Sequence, residues 1–472
     1  MSNVCVIGAG PAGITMARLL RERGYTVTVL EKTDCVGGMC KSFAFTEPGR
    51  SLTRDFDIGA NYITKDYREV RRLADSLGFE LVTDTAFQNQ QALSVATGTV
   101  VPATAVANAG HSMLAFGWAA LKYFWLQWRY RHVVNAPGFL GVADHDDLMT
   151  DFGTWLERHG LQPLWKLFMI PVTAFCYGQL DEIATPYALK YLDSSRFWSM
   201  LLTGLHVRQS WPKRVARGFG NLWIAAATDL GVETLTTVTK VVRIPGRVTI
   251  TSSHAGIEQT RDFDTLVLAM PFDKALSFLD ASEAEKRLFG TGAIIYNDFR
   301  LNAARVPDFP YEVVIELEAT PDDKGAYPAD PGHPWIFGKQ WADSELLLFY
   351  APVPHGTDEG LVQRLAEGDC GLACKAGGRG SWQGLVKSQH WPEYFPHVTS
   401  AAMASFADTG AGWYDLVESM QGTQNTYYVN GVMAFGLVET IMRYCRGLVE
   451  TRFPGAPHDR RLPGMPLPGR DW

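Results

Sequence analysis

The sequence predicts an α/β fold in which a nucleotide-binding domain, assembled from separated chain segments, carries a second sheet and a helical cap. Three observations predict it. A glycine fingerprint follows an apolar run at the start of the chain, and strand-like runs return near residues 232–268 and from residue 425. Residues 105–210 have a helical, aromatic-rich pattern, whereas residues 285–400 contain strand-like runs that predict a mixed or antiparallel sheet.

The first element is a strand that leads into the fingerprint. Residues 4–7 are Val, Cys, Val and Ile, a composition typical of a buried parallel strand. Gly8, Gly10 and Gly13 follow at G-x-G-x-x-G spacing. The first glycine permits the tight turn, the second lets the backbone approach a pyrophosphate, and the third lets the helix pack close to the strand. We therefore predict a dinucleotide site at this turn.

The next elements complete a strand–helix–strand unit. Residues 14–23 place apolar side chains on one side and charged side chains on the other, which predicts a helix that ends at Gly24. Residues 25–30 predict a second strand, and Glu31 follows where a carboxylate binds the ribose hydroxyls. An acid at this position disfavours the 2′-phosphate of NADP. The unit as a whole predicts a Rossmann-type domain.

Length, charge and cysteine content narrow the class of protein. A chain of 472 residues, 46% of them hydrophobic, is long enough for two or three intertwined domains. A net charge of −7 gives no basic field that would recruit nucleic acid or anionic lipid, and the sequence lacks a second fingerprint for an NAD(P)H domain. Seven scattered cysteines predict a reducing compartment and no metal site. We expect a cytoplasmic protein without a signal peptide.

Two motifs resemble the flavin amine oxidase and phytoene desaturase superfamily. Glu31-Lys32 with the loop GGMC at residues 37–40 resembles that family's E-[RK]-x…G-G-x pattern, and DIGAN at residues 57–61 resembles its D-x-G-A strand end. The resemblance implies FAD rather than NAD, with the backbone of Val241 at the adenine. No cysteine stands in a flavin-linking motif, so we expect FAD to be bound without a covalent link. The fingerprint and the resemblance together assign to the cofactor Gly8, Gly10, Pro11, Ala12, Gly13, Glu31, Lys32, Gly37, Gly38, Met39, Gly59, Ala60, Asn61, Val241, Gly431 and Val432.

Two longer stretches are similar to the FAD-dependent polyunsaturated fatty acid double-bond isomerases of that superfamily. They are LWKLFMIPVTAFCYGQLDEIATPYALKYLD, from Leu164, and WPEYFPHVTS…AGWYDLVESMQGTQNTYYVNGVMAFG, from Trp391. The resemblance covers most of residues 1–275 and 385–453 and is weak across 276–384. It implies an isomerase that takes a hydride from one allylic carbon onto flavin N5 and returns it to another, for which no metal and no acid–base pair is needed.

The sequence departs from the isomerases where they bind the fatty acid carboxylate. The isomerases carry arginines in the strand after the first nucleotide segment, and the corresponding residues here are Asn89, Gln90 and Gln91. We therefore expect a small lipophilic substrate that is neutral or differently anchored. The superfamily's C-terminal Gly-Glu pair is also replaced, by Gly431-Val432.

The candidate pocket residues carry no assigned catalytic role. They are Phe168, Phe175, Tyr177, Met420 and Gln421, with ordinary core packing or a structural turn as the alternative. Two other functions stay open beside the isomerase. One is an FAD-dependent oxidase or dehydrogenase that desaturates or oxidatively cyclises a lipophilic or amine-bearing metabolite. The other is a flavoprotein that binds a lipid or a partner without catalysis.

The expected domains follow these segments. Residues 1–83, 215–275 and 422–453 form the FAD-binding domain, residues 84–104 and 276–421 the substrate-binding sheet domain, residues 105–214 the cap, and residues 454–472 an extended or disordered tail. The segment from Ser112 to Trp128 is apolar but too short to span a membrane. A buried cap helix and a lid in peripheral contact with a membrane are both open for it.

Overall fold

The structure, a computed structural model, describes residues 2–84, 89–107, 110–204, 212–318, 324–328, 330–406 and 409–455. Its strands, β1 to β18 in chain order, are Asn3–Ile7, Thr26–Leu30, Ser42–Thr46, Thr53–Asp57, Leu81–Thr83, Gln90–Ser94, Thr99–Pro102, Lys213–Val215, Thr236–Ile244, Arg247–His254, Ile257–Phe263, Thr265–Leu268, Ile295–Arg305, Val313–Glu316, Ile336–Gly338, Leu346–Pro352, Leu385–His397 and Thr426–Tyr428. Its helices, α1 to α17, are Pro11–Glu22, Arg68–Ser76, Ala103–Ala107, Met113–Arg129, Arg131–Val134, Phe152–Arg158, Trp165–Thr173, Thr185–Tyr191, Ser194–Gly204, Phe219–Ala227, Phe272–Ala275, Glu283–Phe289, Glu359–Gly377, Ser400–Ala404, Trp413–Ser419, Gly431–Ala434 and Val438–Arg452.

A four-stranded parallel sheet forms the centre of the nucleotide-binding region. Its strand order is β18-β12-β1-β2, with Val4 opposite Val27 on one side and opposite Thr265 on the other. The β1 side chains Val4, Cys5 and Val6 are buried, with α1 packed against the sheet and α17 packed on α1. Since β12 and β18 come from residues 265–268 and 426–428, this sheet is built from three distant chain segments. A three-stranded antiparallel sheet of β9, β10 and β11 lies before β12 in the chain.

A seven-stranded mixed sheet forms the second layer. Its order is β17-β13-β16-β15-β14-β6-β7, and all neighbouring strands are antiparallel except β14 and β6. Alternate side chains of β14 point to opposite faces. Val314 packs in one apolar layer with Cys370 of α13, whereas Val313 and Ile315 belong to the main core. The sheet therefore has α13 on one face and the rest of the molecule on the other.

The cap, helices α4 to α9, is built around aromatic side chains. Tyr123 of α4 lies with its ring centroid 4.8 Å from that of Phe168 and 4.6 Å from that of Phe197, and Trp155 also contacts it. All four rings are fully buried. Gln127 of α4 donates hydrogen bonds to the backbone oxygens of the loop after α8 and of α8 itself. These contacts fix α4 against the remaining cap helices.

The α/β fold with a Rossmann-type nucleotide-binding region, a mixed sheet and a helical cap is confirmed. The domain boundaries stay predictions, and residues 456–472 of the predicted tail lie outside the described residues. Among the helices that the structure describes, none has the length and apolar character required to cross a membrane.

Candidate active site

A large cavity lies where the parallel sheet, the seven-stranded sheet and the cap meet. Its volume is about 1200 Å³. Its walls include Gly8 and Glu31 beyond the carboxyl ends of β1 and β2, Ala269 after β12, Asn89 and Tyr350 from the second sheet, and Leu167 and Met200 from the cap. In open parallel sheets, ligands bind at the carboxyl ends of the strands. The cavity therefore joins a nucleotide site to an apolar chamber under the cap.

The fingerprint glycines have separate structural roles. Gly8 has φ +104°, and a Cβ atom there would lie 2.6 Å from the Ala269 carbonyl oxygen. A Cβ atom at Gly13 would lie 1.9 Å from the Gly8 carbonyl oxygen, so this glycine lets α1 approach β1. A Cβ atom at Gly10 would meet only the Cα atom of Gly38, at 3.8 Å, and both residues line the cavity. Gly10 thus keeps the cavity floor open rather than relieving a clash.

The first turn of α1 offers its backbone N–H groups to the cavity. The helix begins at Pro11, and Gly10 supplies no side-chain hydrogen bond to cap it. The first N–H groups of a helix lack partners within the helix and attract anions. Pro11 and Ala12, both assigned to the cofactor from the sequence, line the cavity here. This geometry fits a pyrophosphate.

Glu31 is held in place for a ribose. One carboxylate oxygen accepts a hydrogen bond from the Ala9 N–H at 2.8 Å, and the other accepts from the Thr33 N–H at 2.9 Å and from the Thr33 hydroxyl at 2.8 Å. Glu31 and Lys32 both line the cavity. A carboxylate has about four lone-pair sites, so acceptor capacity remains for the ribose hydroxyls.

Val241, expected at the adenine, does not line the cavity. Its N–H donates to the Phe278 carbonyl oxygen at 2.8 Å, and its own carbonyl accepts from the Asp280 N–H. Both backbone groups of Val241 therefore already have hydrogen-bond partners within the protein. Thr236, Thr237 and Val238, earlier on the same strand, line the cavity instead. The cavity thus meets β9 three to five residues before Val241, and the contact of this strand with adenine stays a prediction.

The second glycine loop packs against the strand end at residues 57–61. Gly37 donates its N–H to the Ala9 carbonyl oxygen at 2.8 Å, and a Cβ atom at Gly59 would lie 1.9 Å from the Met39 carbonyl oxygen. Gly38, Met39, Gly59, Ala60 and Asn61 line the cavity, whereas Gly37 lies behind this layer. The predicted cofactor loop and strand end are thus one packed unit.

Asp57 anchors that unit from behind. Its Oδ1 accepts from the Ser42 hydroxyl at 2.6 Å and from the Phe219 N–H at 2.7 Å. Burial raises the pKa of the Asp57 carboxyl to about 7, while these two hydrogen bonds act in the opposite direction. Gln340 of the second sheet hydrogen-bonds both backbone groups of Asp57. The side chain therefore positions the strand end without entering the cavity.

The C-terminal segment meets the cavity at the start of α16. Asn430 caps this helix by accepting from the Val432 N–H at 2.8 Å, and its amide donates to the Met270 carbonyl oxygen at 2.9 Å. Gly431, assigned to the cofactor from the sequence, lines the cavity. Val432 is fully buried and is not part of the lining, because its side chain points into the core.

Two of the five predicted pocket residues line the cavity. Phe175 and Tyr177 do so, and Tyr177 packs against Tyr394 and Phe435. Phe168 is fully buried in the aromatic core of the cap, so the alternative of ordinary packing holds for it.

Met420 and Gln421 lie outside the lining. The Gln421 side chain hydrogen-bonds the Tyr428 N–H and carbonyl and the Tyr444 hydroxyl. It thereby ties the end of α15 to β18 and α17. The structural-turn alternative therefore holds for this position.

Arg196 is a cavity residue that the sequence analysis did not find. It lies in the first turn of α9, and its Nη1 donates to Asp193 Oδ2 at 2.8 Å and to the Lys190 and Tyr191 carbonyl oxygens. The guanidinium also lies over the Tyr67 ring. It forms one wall of the cavity, whereas Asn89, Gln90 and Gln91 line another part. The cavity therefore contains a cation, although not on the strand where the isomerases carry theirs.

A separate polar cluster lies on the α13 side of the second sheet. Ligand atoms of Glu316, His333 and Asp369 lie within 4.8 Å of one another, which is metal-ligand spacing. His333 Nδ1 and an Asp369 carboxylate oxygen are 2.6 Å apart. Burial, and then the charge of Asp369, raises the pKa of Glu316 well above its ordinary value, and the hydrogen bond to Asp369 raises the pKa of His333. The raised pKa values of Glu316 and His333 fit a network in which the three side chains share protons. None of the three residues lines the cavity.

Comparison with known proteins places the chain among flavin enzymes. A profile of the NAD(P)-binding Rossmann-like domain matches residues 6–77. The FAD-dependent oxidoreductase dpasF of Apiospora sacchari is 26% identical over 461 residues, which are 92% of this chain and 88% of that protein. Putrescine oxidase of Kocuria rosea is 44% identical over 78 residues, which are only 16% of this chain and 15% of that one.

Solved structures extend the similarity over the whole fold. The CLA-producing fatty acid isomerase from P. acnes superposes with a TM-score of 0.77 at 26% identity, covering 96% of this chain and 99% of that one. Cyclohexylamine oxidase from Brevibacterium oxydans shares the fold, with a TM-score of 0.64 at 14% identity, covering 95% and 99% of the two chains. The turn that contains Gly8, Gly10 and Gly13, the first turn of α1 and the Glu31 carboxylate all fit FAD as the cofactor. The chain is an FAD-dependent enzyme that resembles the fatty acid isomerase branch of the flavin amine oxidase superfamily.

Proposed function

We propose that this enzyme moves a double bond in a lipophilic polyene without net oxidation. The observation that carries the proposal is the similarity to a fatty acid isomerase across nearly the whole chain, in sequence and in fold. Other flavin oxidases share the architecture at lower identity. The shared elements include the cap as well as the nucleotide domain, and the cap supplies walls of the chamber.

The chemistry of the chamber supports a lipophilic substrate. On the cap side its walls include Leu167, Ile170, Pro171 and Met200. The aromatic rings that line it include Phe175, Tyr177, Tyr191, Phe299 and Tyr394. Apolar walls exclude water and bind an extended hydrocarbon along its length. Packed rings such as Phe299 and Tyr394, with centroids 4.5 Å apart, are rigid and fix the position of a double bond.

The wall residues determine what the protein, as distinct from FAD, contributes to the reaction. Bound FAD accepts and can return a hydride, so the protein has to bind, orient and shield the substrate. The aromatic and aliphatic walls hold the reacting carbons in register, and positioning of this kind lowers the barrier without an acid–base group. We expect FAD to be held without a covalent bond, so that acid precipitation of the protein releases all of the yellow colour into solution.

The amide side chains of Asn89, Gln90 and Gln91 determine which substrate head group the cavity accepts. Gln90 shares the strand face of Ala92, which packs in the cavity-side core, whereas Gln91 shares the face of Leu93, which packs against α13. A glutamine donates and accepts hydrogen bonds but forms no ion pair with a carboxylate. We therefore assign to Gln90 a preference for an ester, amide or alcohol over a free acid.

A second candidate function is an oxidase or dehydrogenase acting on a similar lipophile. The observation that favours it is the similarity to an FAD-dependent oxidoreductase over 92% of the chain. The same cavity would serve both reactions, because they begin with removal of a hydride. They differ in whether the hydride returns to the substrate.

An anaerobic turnover experiment separates the two reactions. The yellow protein is mixed with matched polyenes, as free acids, methyl esters and alcohols, while flavin absorbance and product mass are followed. Isomerisation gives a product of unchanged mass with oxidised flavin at the end. Lasting loss of the flavin absorbance with a product two hydrogens lighter means a dehydrogenase or oxidase and overturns the isomerase.

The same assay tests the head-group assignment. Gln90→Arg is expected to shift the preference towards free acids by about tenfold, since a buried charge-assisted pair contributes about 1.5–3 kcal/mol. Gln259→Arg is the matched control, because Gln259 is exposed on β11 and does not line the cavity. An equal shift in both variants, or none in Gln90→Arg, would place the head group elsewhere.

A further inference from the structure

Helix α4 presents an apolar face to solvent. Leu114, Trp118, Leu121, Trp125 and Trp128 are all exposed, Leu114 by 88% and Trp118 by 71%. Their spacing of four, three, four and three residues places them on one stripe of the helix. We call this stripe the tryptophan face. Exposed Trp198 of α9 lies beside it, in contact with Phe124 of α4.

The exposure is not a sign of a poorly packed helix. The opposite side of α4 buries Ala119, Ala120, Tyr123, Leu126 and Gln127. The helix is therefore anchored to the cap through one face and is apolar on the other face as well. A contiguous apolar patch of this kind on a surface marks an interaction site.

The local charge differs from the charge of the whole chain. Residues 85–143 contain no Asp or Glu, although the chain as a whole has a net charge of −7. The charged side chains in this stretch are Lys122, Arg129 and Arg131. Arg129 lies over the Trp125 ring and Arg131 over the Trp128 ring, with 4.6 Å from the Arg131 guanidinium carbon to the ring centre. The net charge of the whole chain therefore does not describe this face, whose neighbouring charged side chains are all cations.

We propose that the tryptophan face docks the enzyme onto an anionic lipid bilayer, with α4 lying in the plane of the interface. Trp is enriched at membrane interfaces, where its ring is buried and its N–H stays wet. Lys and Arg beside such a stripe keep their charges among the lipid head groups while their stems cover apolar surface. A second copy of this chain fits less well, because a symmetric contact would bring the same three cations of both copies together.

The docked face is joined to the cavity through α9. Phe124 of α4 packs on Phe197 and Trp198, and the next two residues, Ser199 and Met200, line the cavity. A bilayer under α4 would therefore lie beside the cap wall of the chamber. That the bilayer also delivers the substrate rests on the proposed function, whereas the docking itself does not.

Vesicle sedimentation of the FAD-loaded enzyme tests the docking without any substrate. We expect the enzyme to sediment with vesicles of phosphatidylcholine and phosphatidylglycerol, and less with phosphatidylcholine alone or at high salt. Trp118→Glu with Trp125→Glu should weaken this binding by about tenfold or more, since charged residues are excluded from the interface that the rings occupy. Ile257→Glu, at a residue 74% exposed on the β10–β11 hairpin, is the matched control and should bind as the wild type does.

The outcomes distinguish a bilayer from a second copy of the chain as the partner of the tryptophan face. They also distinguish the docking from the proposed function. No vesicle binding by the wild type, or equal binding by the double variant with its flavin spectrum intact, overturns the docking. A dimer in solution that the double variant dissociates would assign the face to a second copy and also overturn it. Turnover of a water-soluble short polyene is measured separately, so vesicle binding without turnover would remove the proposed function and leave the docking.

Discussion

At the scale of single residues, Asp57 shows how burial changes the protonation of a carboxyl group. The carboxyl is buried behind the strand end at residues 57–61, and its pKa is raised to about 7. In the unfolded chain the pKa of an aspartate is about 3.9. Between these two values the folded protein binds the proton more tightly than the unfolded chain does. The contribution of Asp57 to the free energy of unfolding therefore falls as pH rises from about 4 to about 7. It is constant above that range.

The first prediction follows from this sign. Asp57→Asn keeps an oxygen for the Ser42 hydroxyl and the Phe219 N–H but carries no charge. Relative to the wild type, the variant should gain stability as pH rises through this window, by about 2–4 kcal/mol in total. Thermal unfolding of both proteins with excess FAD from pH 4 to pH 8 measures the difference. A difference that does not change with pH would mean that Asp57 stays ionised in the folded protein.

Which site residues could be predicted depended on whether their role is local. Gly8, Gly10 and Glu31 act within one strand–turn–helix–strand unit, so spacing alone identified them. Arg196 lines the cavity only because α9 packs with the other cap helices, and no local pattern marks it. The strand that carries Val241 was identified by resemblance, but which of its residues faces the cavity depends on where β9 crosses the site.

At the scale of elements, the β1–α1 turn separates two uses of glycine, and the second prediction is based on them. Gly8→Ala forces a Cβ atom against the Ala269 carbonyl at a positive φ, so it should lower the stability of the FAD-free protein by about 1–3 kcal/mol. Gly10→Ala meets no close atom and should leave that stability nearly unchanged. It should nevertheless weaken FAD binding about tenfold or more, because its methyl group occupies the floor where the backbone approaches the pyrophosphate.

Thermal unfolding of the FAD-free variants and fluorescence titration with FAD check the two effects separately. Gly117→Ala, inside α4 where a Cβ atom meets nothing within 4 Å, is the control. It should leave FAD affinity unchanged and raise the stability by about 0.4–1 kcal/mol, opposite in sign to Gly8→Ala. Full FAD affinity in Gly10→Ala would mean that the pyrophosphate does not pass over this residue.

The elements themselves were predictable to different degrees. The parallel strands have continuous apolar runs, and the Pro- and Gly-rich breaks between residues 325 and 335 bounded the strands of the second sheet. The order β17-β13-β16-β15-β14-β6-β7 was not predictable, because it depends on pairing between strands more than 200 residues apart. Helix α4 is apolar on both faces, so its periodicity could not distinguish a buried cap helix from a surface one.

At the scale of the whole molecule, buried ion pairs hold the separated segments together. Arg243 of β9 contacts Asp280 and Glu285, with N–O distances of 2.7 Å, and the Tyr428 hydroxyl of β18 donates to Glu285 at 2.6 Å. Burial opposes the charge of Arg243, but these carboxylates outweigh it and raise the pKa of the guanidinium. The nucleotide site thus depends on contacts between residues near 240, 285 and 428. A ligand that spans these segments should stabilise all of them together.

The third prediction concerns that coupling. Because residues from all three segments line the cavity, removal of FAD should lower the melting temperature in a single transition. Adding FAD back should raise the melting temperature with the logarithm of its concentration, since a ligand at 100 times its Kd adds about 2.7 kcal/mol to the free energy of unfolding. NADP at the same concentrations should not do so, because Glu31 lies where the 2′-phosphate would be placed and would repel it. Equal stabilisation by NADP, or two transitions of which only one responds to FAD, would contradict a single FAD site built jointly by the three segments.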